Sequence, residues 1–220
     1  MTTVLFDLEG TLVTSIEHDK EAVHEFRSKT RQKLLELGIP ASELKSVETS
    51  TIMRNTAVDY IKRRFSQKEA QRFQIELDTF LKKFELRWAQ DAKIHDDTIP
   101  ALQELIKLNC KLGVVTNTSE EAAKRIFSTC GLRNFFEITI TREDVKKLKP
   151  DPEGIYLALE NLNNKSFFFI GDLIFDSQAA KAAGGVSIII NRNTSIKIGF
   201  NADYIVTSLL EIPSIITYGT

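Results

Sequence analysis

Val4-Leu5-Phe6-Asp7-Leu8-Glu9-Gly10-Thr11-Leu12-Val13 is an apolar run interrupted by two carboxylates, a glycine and a hydroxyl. Val4, Leu5 and Phe6 show no polar alternation, the pattern of a strand covered on both faces in a parallel sheet. Such strands deliver functional groups at their carboxyl ends, in the crevice outside the sheet. Asp7 and Glu9 occupy that end, and Gly10 lets the backbone turn tightly and approach a ligand. Two acids there suit a hard metal ion, a carboxylate nucleophile or an acid/base pair. Taken alone, the same residues also read as a polar turn.

The pattern changes after Thr11. From about Ser15 to Asp91 the sequence is charged, glycine-poor and helical in period. Val23, Phe26, Thr30, Leu34 and Leu37 recur at helix spacing, and Gly38-Ile39-Pro40 supplies a stop. Met53, Ala57, Ile61 and Phe65 mark a second helix. Ser66 and Glu69 form a capping box before a long stripe of Phe73, Leu77, Phe80, Leu81, Phe84 and Trp88. That spacing makes the stripe the core of a helical bundle rather than a ligand box.

From about Ile94, strand and helix alternate. The expected strands are Lys111 to Val115, Phe136 to Ile140, Phe167 to Ile170, Ser187 to Ile190 and Tyr204 to Val206. The expected helices run from Pro100 to Leu108, from a Thr118–Glu121 capping box to Gly131, from an Asp151-Pro152 start through Leu159, from Asp176 to Ala183, and near Leu209. Strand–helix alternation implies a doubly wound parallel sheet, an α/β core of Rossmann-like type. Residues 1–14 and 92–220 are expected to form that core, with 15–91 an inserted all-helical unit.

A chain of 220 residues can bury a substantial core. Its formal net charge of -1 provides no field for nucleic acid or an anionic membrane. Cys110 and Cys130 are the only cysteines, with no CxxC or Cys/His cluster, so a structural zinc or disulfide scaffold is not expected. No apolar stretch approaches the ~20 residues of a membrane span, and no leader sequence is evident, so a soluble cytoplasmic protein is expected.

Three further strand ends carry polar groups. Thr116 and Asn117 precede a helix, where a hydroxyl and free N–H groups make an anion site. Lys149 precedes Pro150 and could offset charge on a carboxylate and a phosphoryl group, although a lone lysine reads as solvated. Asp172 and Asp176 lie four residues apart after Gly171 and suit Mg²⁺, whereas Asp176 alone reads as a helix cap. In the helical unit, Arg27, Arg31, Arg54, Arg63 and Arg64 could grip an anionic substrate, but solvated faces are the default for all five. His18, His24 and His95 are isolated and read as surface or capping residues, although His18 could face the site from the hinge.

The ordered set Asp7-x-Glu9-Gly-Thr11, Thr116, Lys149-Pro150 and Gly171-Asp172-x-x-x-Asp176 resembles the four motifs of the haloacid dehalogenase superfamily. The helical insertion resembles a type C1 cap, and Gly171-Asp172 through Ala182-Ala183-Gly184 is close to the phosphoglycolate phosphatase-like branch. The resemblance implies a Mg²⁺-dependent phosphatase acting on small phosphorylated metabolites, as monomer or homodimer. It implies Asp7 as nucleophile, Glu9 as acid/base, Thr116 and its neighbours (Asn117 included) as phosphate ligands, and Lys149 as the neutralising cation. Asp7, the Glu9 carbonyl, Asp172 and Asp176 would be the metal ligands. Glu9 departs from the aspartate most phosphatases of the superfamily carry, although enolase-phosphatases share Asp-x-Glu-Gly-Thr. A phosphotransferase or mutase, and a silenced binding protein on the same fold, are the alternatives.

Overall fold

The computed structural model describes residues 2–14, 19–192 and 201–218. Six strands form one parallel sheet: β1 (Thr3–Phe6), β2 (Lys111–Val115), β3 (Ile138–Ile140), β4 (Phe167–Gly171), β5 (Val186–Ile190) and β6 (Tyr204–Val206), in the order β3-β2-β1-β4-β5-β6. The order reverses between β1 and β4, the switch point at which doubly wound sheets bind ligands.

The sheet faces explain why β1 lacks alternation. Val4 and Phe6 join one cluster with Val114 and Ile170, covered by α4 (Thr98–Lys107), α5 (Glu120–Thr129) and α8 (Ile212–Tyr218). Leu5 points the other way, with Val115 and Phe169, under α6 (Glu153–Leu162) and α7 (Ile174–Ala182). All four residues of β1 are buried. Burying both faces favours apolar residues throughout, so period two disappears.

Three helices lie between β1 and α4: α1 (Lys20–Glu36), α2 (Ser50–Arg64) and α3 (Gln67–Asp91). They share a separate core of Leu34, Leu44, Met53, Ile61, Phe73, Leu77 and Leu81. The Ser66–Glu69 capping box forms as expected. The stripe on α3 divides: Phe73 and Leu77 enter this core, whereas Phe84 and Trp88 meet Phe26 in an aromatic cluster. Phe65 ends α2 and is exposed, contrary to its expected place on the packing face. Thr14 pairs the outgoing chain with the returning one, its N–H donating to Lys93 O (2.8 Å) and its hydroxyl accepting from Lys93 N (3.0 Å).

Several boundaries shift for identifiable reasons. β3 starts at Ile138 because Phe136 instead packs between Phe6 and Phe127. α6 starts at Glu153, and Asp151 caps it from two residues upstream by accepting from Glu153 N (3.0 Å). α5 starts at Glu120 after Ser119, so Thr118 is not its cap. α7 begins at Ile174, two residues before Asp176. The chain end near Leu209 is a 3₁₀ turn (Leu209–Glu211) followed by α8.

A buried ionic network joins the helical unit to the sheet. Arg54 on α2, entirely buried, grips Asp78 of α3 through two bonds of 3.0 and 3.2 Å and also donates to Lys146 O. Arg142, at the end of β3, ion-pairs with Glu85 and with Asp78 (3.3 Å). Glu85 in turn accepts from Ser119 N (3.1 Å). Nearby, Asn55 brackets Leu148, donating to its carbonyl (2.8 Å) and accepting from its N–H (3.0 Å). Removing one partner of such a network leaves an uncompensated buried charge. Arg142→Met is therefore expected to cost about 3–5 kcal/mol in urea unfolding. Arg142→Met combined with Glu85→Gln should cost clearly less than the sum of the single variants; additive losses would show that the two residues are not coupled.

Candidate active site

Three strand ends and the start of α7 converge. Asp7 follows β1, its N–H bonded to Ile170 O of β4 at 2.8 Å, so its side chain leaves the sheet at the switch point. Thr116 follows β2 in the same way, bonded to Ile140 O of β3 (2.9 Å). Asp172 follows β4, and Asp176 lies in the first turn of α7.

Lys149 is not solvated. It is 4% exposed, and its Nζ lies 2.7 Å from Asp7 Oδ1 and 2.7 Å from Asp176 Oδ1. The loop presenting it is fixed by Asn117, whose amide donates to Lys149 O (3.3 Å) and accepts from Lys149 N (3.0 Å). The Asn117 side chain thus positions the lysine, a task the turn-like Thr116-Asn117 pair did not suggest. Asp176 divides its oxygens, Oδ2 accepting from Leu173 N (2.9 Å) while Oδ1 meets Lys149. Asp176 thus caps α7 and pairs with Lys149 at once.

Electrostatics follow from burial. Desolvation pushes the Asp7 carboxyl up to about 6, against the pull of the Lys149 ammonium and with a contribution from the Asp176 carboxylate. Burial also works to lower Lys149, but the Asp176 and Asp7 carboxylates outweigh it and hold the ammonium above its ordinary value.

Two glycines allow the acids to approach. Gly10 has φ +82°, and a Cβ there would stand 2.1 Å from Asp172 Oδ2. At Gly171 a Cβ would stand 2.3 Å from Cγ of Asp176. With those Cβ atoms absent, oxygens of Asp7, Asp172 and Asp176 gather within 4.8 Å of one another, a hard-oxygen cluster of the kind that holds Mg²⁺. The Thr11 hydroxyl donates to Asp172 (3.4 Å).

Asp7, Thr116, Asn117, Lys149 and Asp176 face a cavity of about 170 Å³ between the sheet and the helical unit. Its far wall includes Phe26 and Arg27 of α1, Thr49 to Thr51 at the start of α2, and Leu81 and Trp88 of α3. Arg54 and Arg142 also line it, which corrects the solvated reading of Arg54. Arg31 instead binds Leu44 O and Val47 O, and Arg63 and Arg64 remain outside the cavity. His18 lies outside the described residues, and His24 is exposed. Glu9 lines the cavity and accepts a hydrogen bond from the Thr118 hydroxyl. Asn55, Glu85 and Arg142 carry no local motif, and Thr118 showed only as part of a capping box; tertiary pairing reveals their roles.

Residues 1–184 match the model of the haloacid dehalogenase-like hydrolases. The chain belongs to that family. A phosphoglycolate phosphatase of Photorhabdus laumondii is 27% identical, over 97% of this chain and 91% of its own length. Pyrophosphatase PpaX of Listeria innocua is 28% identical over 83% and 80%. The crystal structure of a HAD phosphatase from Thermococcus onnurineus superposes with a TM-score of 0.62 at 28% identity, covering 98% of both chains. This member of the family has one acid after β1 and another in the first turn of α7, with an ammonium between them.

Lys149→Met leaves Asp7 and Asp176 buried without their cation. Burial already raises the Asp7 carboxyl to about 6, and the variant removes the ammonium that opposes this rise, so the loss of stability should be about 3–5 kcal/mol near neutrality and shrink as pH falls through that value. Chemical unfolding in chelator at pH 7.5 and 5.5 checks this. A gap between wild type and variant that stays constant with pH would contradict it.

Proposed function

We propose that the protein is a Mg²⁺-dependent phosphatase that hydrolyses small phosphate esters through an aspartyl-phosphate on Asp7. The observation that carries this reading is the Lys149 ammonium held between the Asp7 and Asp176 carboxylates at the switch point. A buried carboxylate beside a fixed ammonium is suited to attack on phosphorus, because the cation offsets the repulsion between two anions. Asp7 Oδ forms the bond to phosphorus as the ester P–O bond breaks. Glu9 gives a proton to the leaving oxygen and then takes one from the water that cleaves the acyl phosphate. The Thr116 hydroxyl and the Asn117 N–H hold the phosphoryl oxygens, with the Asn117 side chain keeping Lys149 in place.

Asp7, Asp172 and Asp176, with the Glu9 carbonyl, would hold the metal, and the oxygen donors gathered within 4.8 Å fit Mg²⁺. When bound, Mg²⁺ supplies positive charge against the phosphoryl oxygens. Phosphoryl transfer needs mainly positioning and charge stabilisation, and these residues supply both. Residues 15–91 are assigned as a cap that shuts the cavity against water during the reaction. The small cavity favours a compact substrate. Phosphoglycolate and pyrophosphate, the substrates named for two relatives, are the first to test.

Wild type should release phosphate from p-nitrophenyl phosphate or one of these compounds with Mg²⁺ and stop in chelator. Asp7→Asn should lose at least about 10³-fold, because the nucleophile is gone. No release by wild type on a broad panel despite Mg²⁺ binding would overturn the reading in favour of a transferase or a silenced fold. Protons and metal compete for Asp7, whose carboxyl titrates near 6. Mg²⁺ affinity, followed by thermal shift, should therefore weaken as pH falls from 7.5 through 6.

A further inference from the structure

Glu9 is a glutamate, with one more rotatable bond than aspartate, on a half-buried loop facing the cavity. A proton donor on such a chain has to be restrained, since a misplacement of about 1 Å can cost about 10²-fold in rate. The restraint lies two residues beyond Thr116. The buried Thr118 hydroxyl donates to Glu9 Oε2.

Thr118 is itself held from three directions. Its N–H donates to Thr116 Oγ1 (3.2 Å), and its carbonyl accepts from Arg142 N (3.0 Å). The next amide, Ser119 N, donates to Glu85 Oε2 on α3 (3.1 Å). A threonine before a helix would ordinarily spend its hydroxyl on the helix N-terminus. Here the helix starts one residue later, at Glu120 after Ser119, and the Thr118 hydroxyl is spent on Glu9.

We infer that Thr118 is a positioning residue that fixes the rotamer of Glu9 so that its proton reaches the leaving oxygen. This rests on the phosphatase reading above. In the step concerned, Asp7 Oδ bonds to phosphorus, the ester P–O bond breaks, and the Glu9 carboxyl proton moves to the departing oxygen. The alcohol leaves neutral and Glu9 is left ionised. The Thr118 hydroxyl keeps its own proton throughout.

The test compares phenyl phosphate, whose leaving group needs that proton, with p-nitrophenyl phosphate, whose leaving group departs readily as an anion. Wild type, Thr118→Val, Thr118→Ala, Thr118→Ser and Glu9→Gln are assayed with Mg²⁺, and folding is checked by thermal melting. kcat/KM reports the transfer to Asp7. Thr118→Val should lower kcat/KM for phenyl phosphate by about 10- to 100-fold and leave that for p-nitrophenyl phosphate within about threefold. Glu9→Gln should show the same asymmetry, and Thr118→Ser, which keeps the hydroxyl, should restore near-normal values on both. Thr118→Ala gives the same readout if the valine variant does not fold. Equal losses on both esters, or none on either, would overturn the inference while the phosphatase reading stands. A wild type that hydrolyses neither ester, nor any other phosphate compound, would overturn both.

Discussion

Lys149 lies 2.7 Å from an oxygen of Asp7 and 2.7 Å from an oxygen of Asp176, almost wholly out of water. Taking one ammonium and two carboxylates out of water costs several kcal/mol per ion unless the charges meet in good geometry. The surrounding structure supplies that geometry. β1 and β4 bring Asp7 and the Asp172 loop to one crevice, α7 aims Asp176 back at it, and Asn117 holds both sides of the Lys149 backbone. Counting Asp172, three carboxylates stand against one ammonium, and a divalent cation would close that deficit.

The same economy of charge governs the boundary between the helices and the sheet. Arg54, Asp78, Glu85 and Arg142 are all buried there, two cations against two anions. They line or border the cavity and tie α2 and α3 to the segments carrying Thr118 and Lys149. A hydrophobic seam would hold the helices as firmly. Paired charges add a requirement of register, because an ion displaced from its partner is stranded in a dry interface. Buried as these groups are, each electrostatic interaction between them is also stronger than in water.

The architecture was legible in the sequence because it rests on local signals. The unbroken apolar stretch Val4–Phe6 implied a strand covered twice, and the period of 3.6 after Thr11 marked the helical insertion, whose α1–α3 share a core of their own. Boundaries slipped where a side chain found another partner: Phe136 between two rings and Thr118 on Glu9 at long range, and Asp151 on Glu153 N from two residues upstream. Lys149 and Arg54 read as solvated because burial of a charge depends on a counter-charge distant in the chain. Asp7 and Asp176 are 142 and 27 positions from Lys149, and Asp78 is 24 from Arg54, spacings with no local signature. Gly10 and Gly171 were visible as turn residues, but their service to Asp172 and Asp176 appears only as distances.

In the proposed mechanism Asp7 itself carries the phosphoryl group during turnover. Wild-type protein mixed with Mg²⁺ and p-nitrophenyl phosphate, quenched in acid within the first turnovers and digested, should yield a peptide containing Asp7 with one added phosphoryl group. The adduct should be sensitive to hydroxylamine, as an acyl phosphate is, and absent from Asp7→Asn. Phosphate release with no such adduct at any quench time, or an adduct on another residue, would contradict the account.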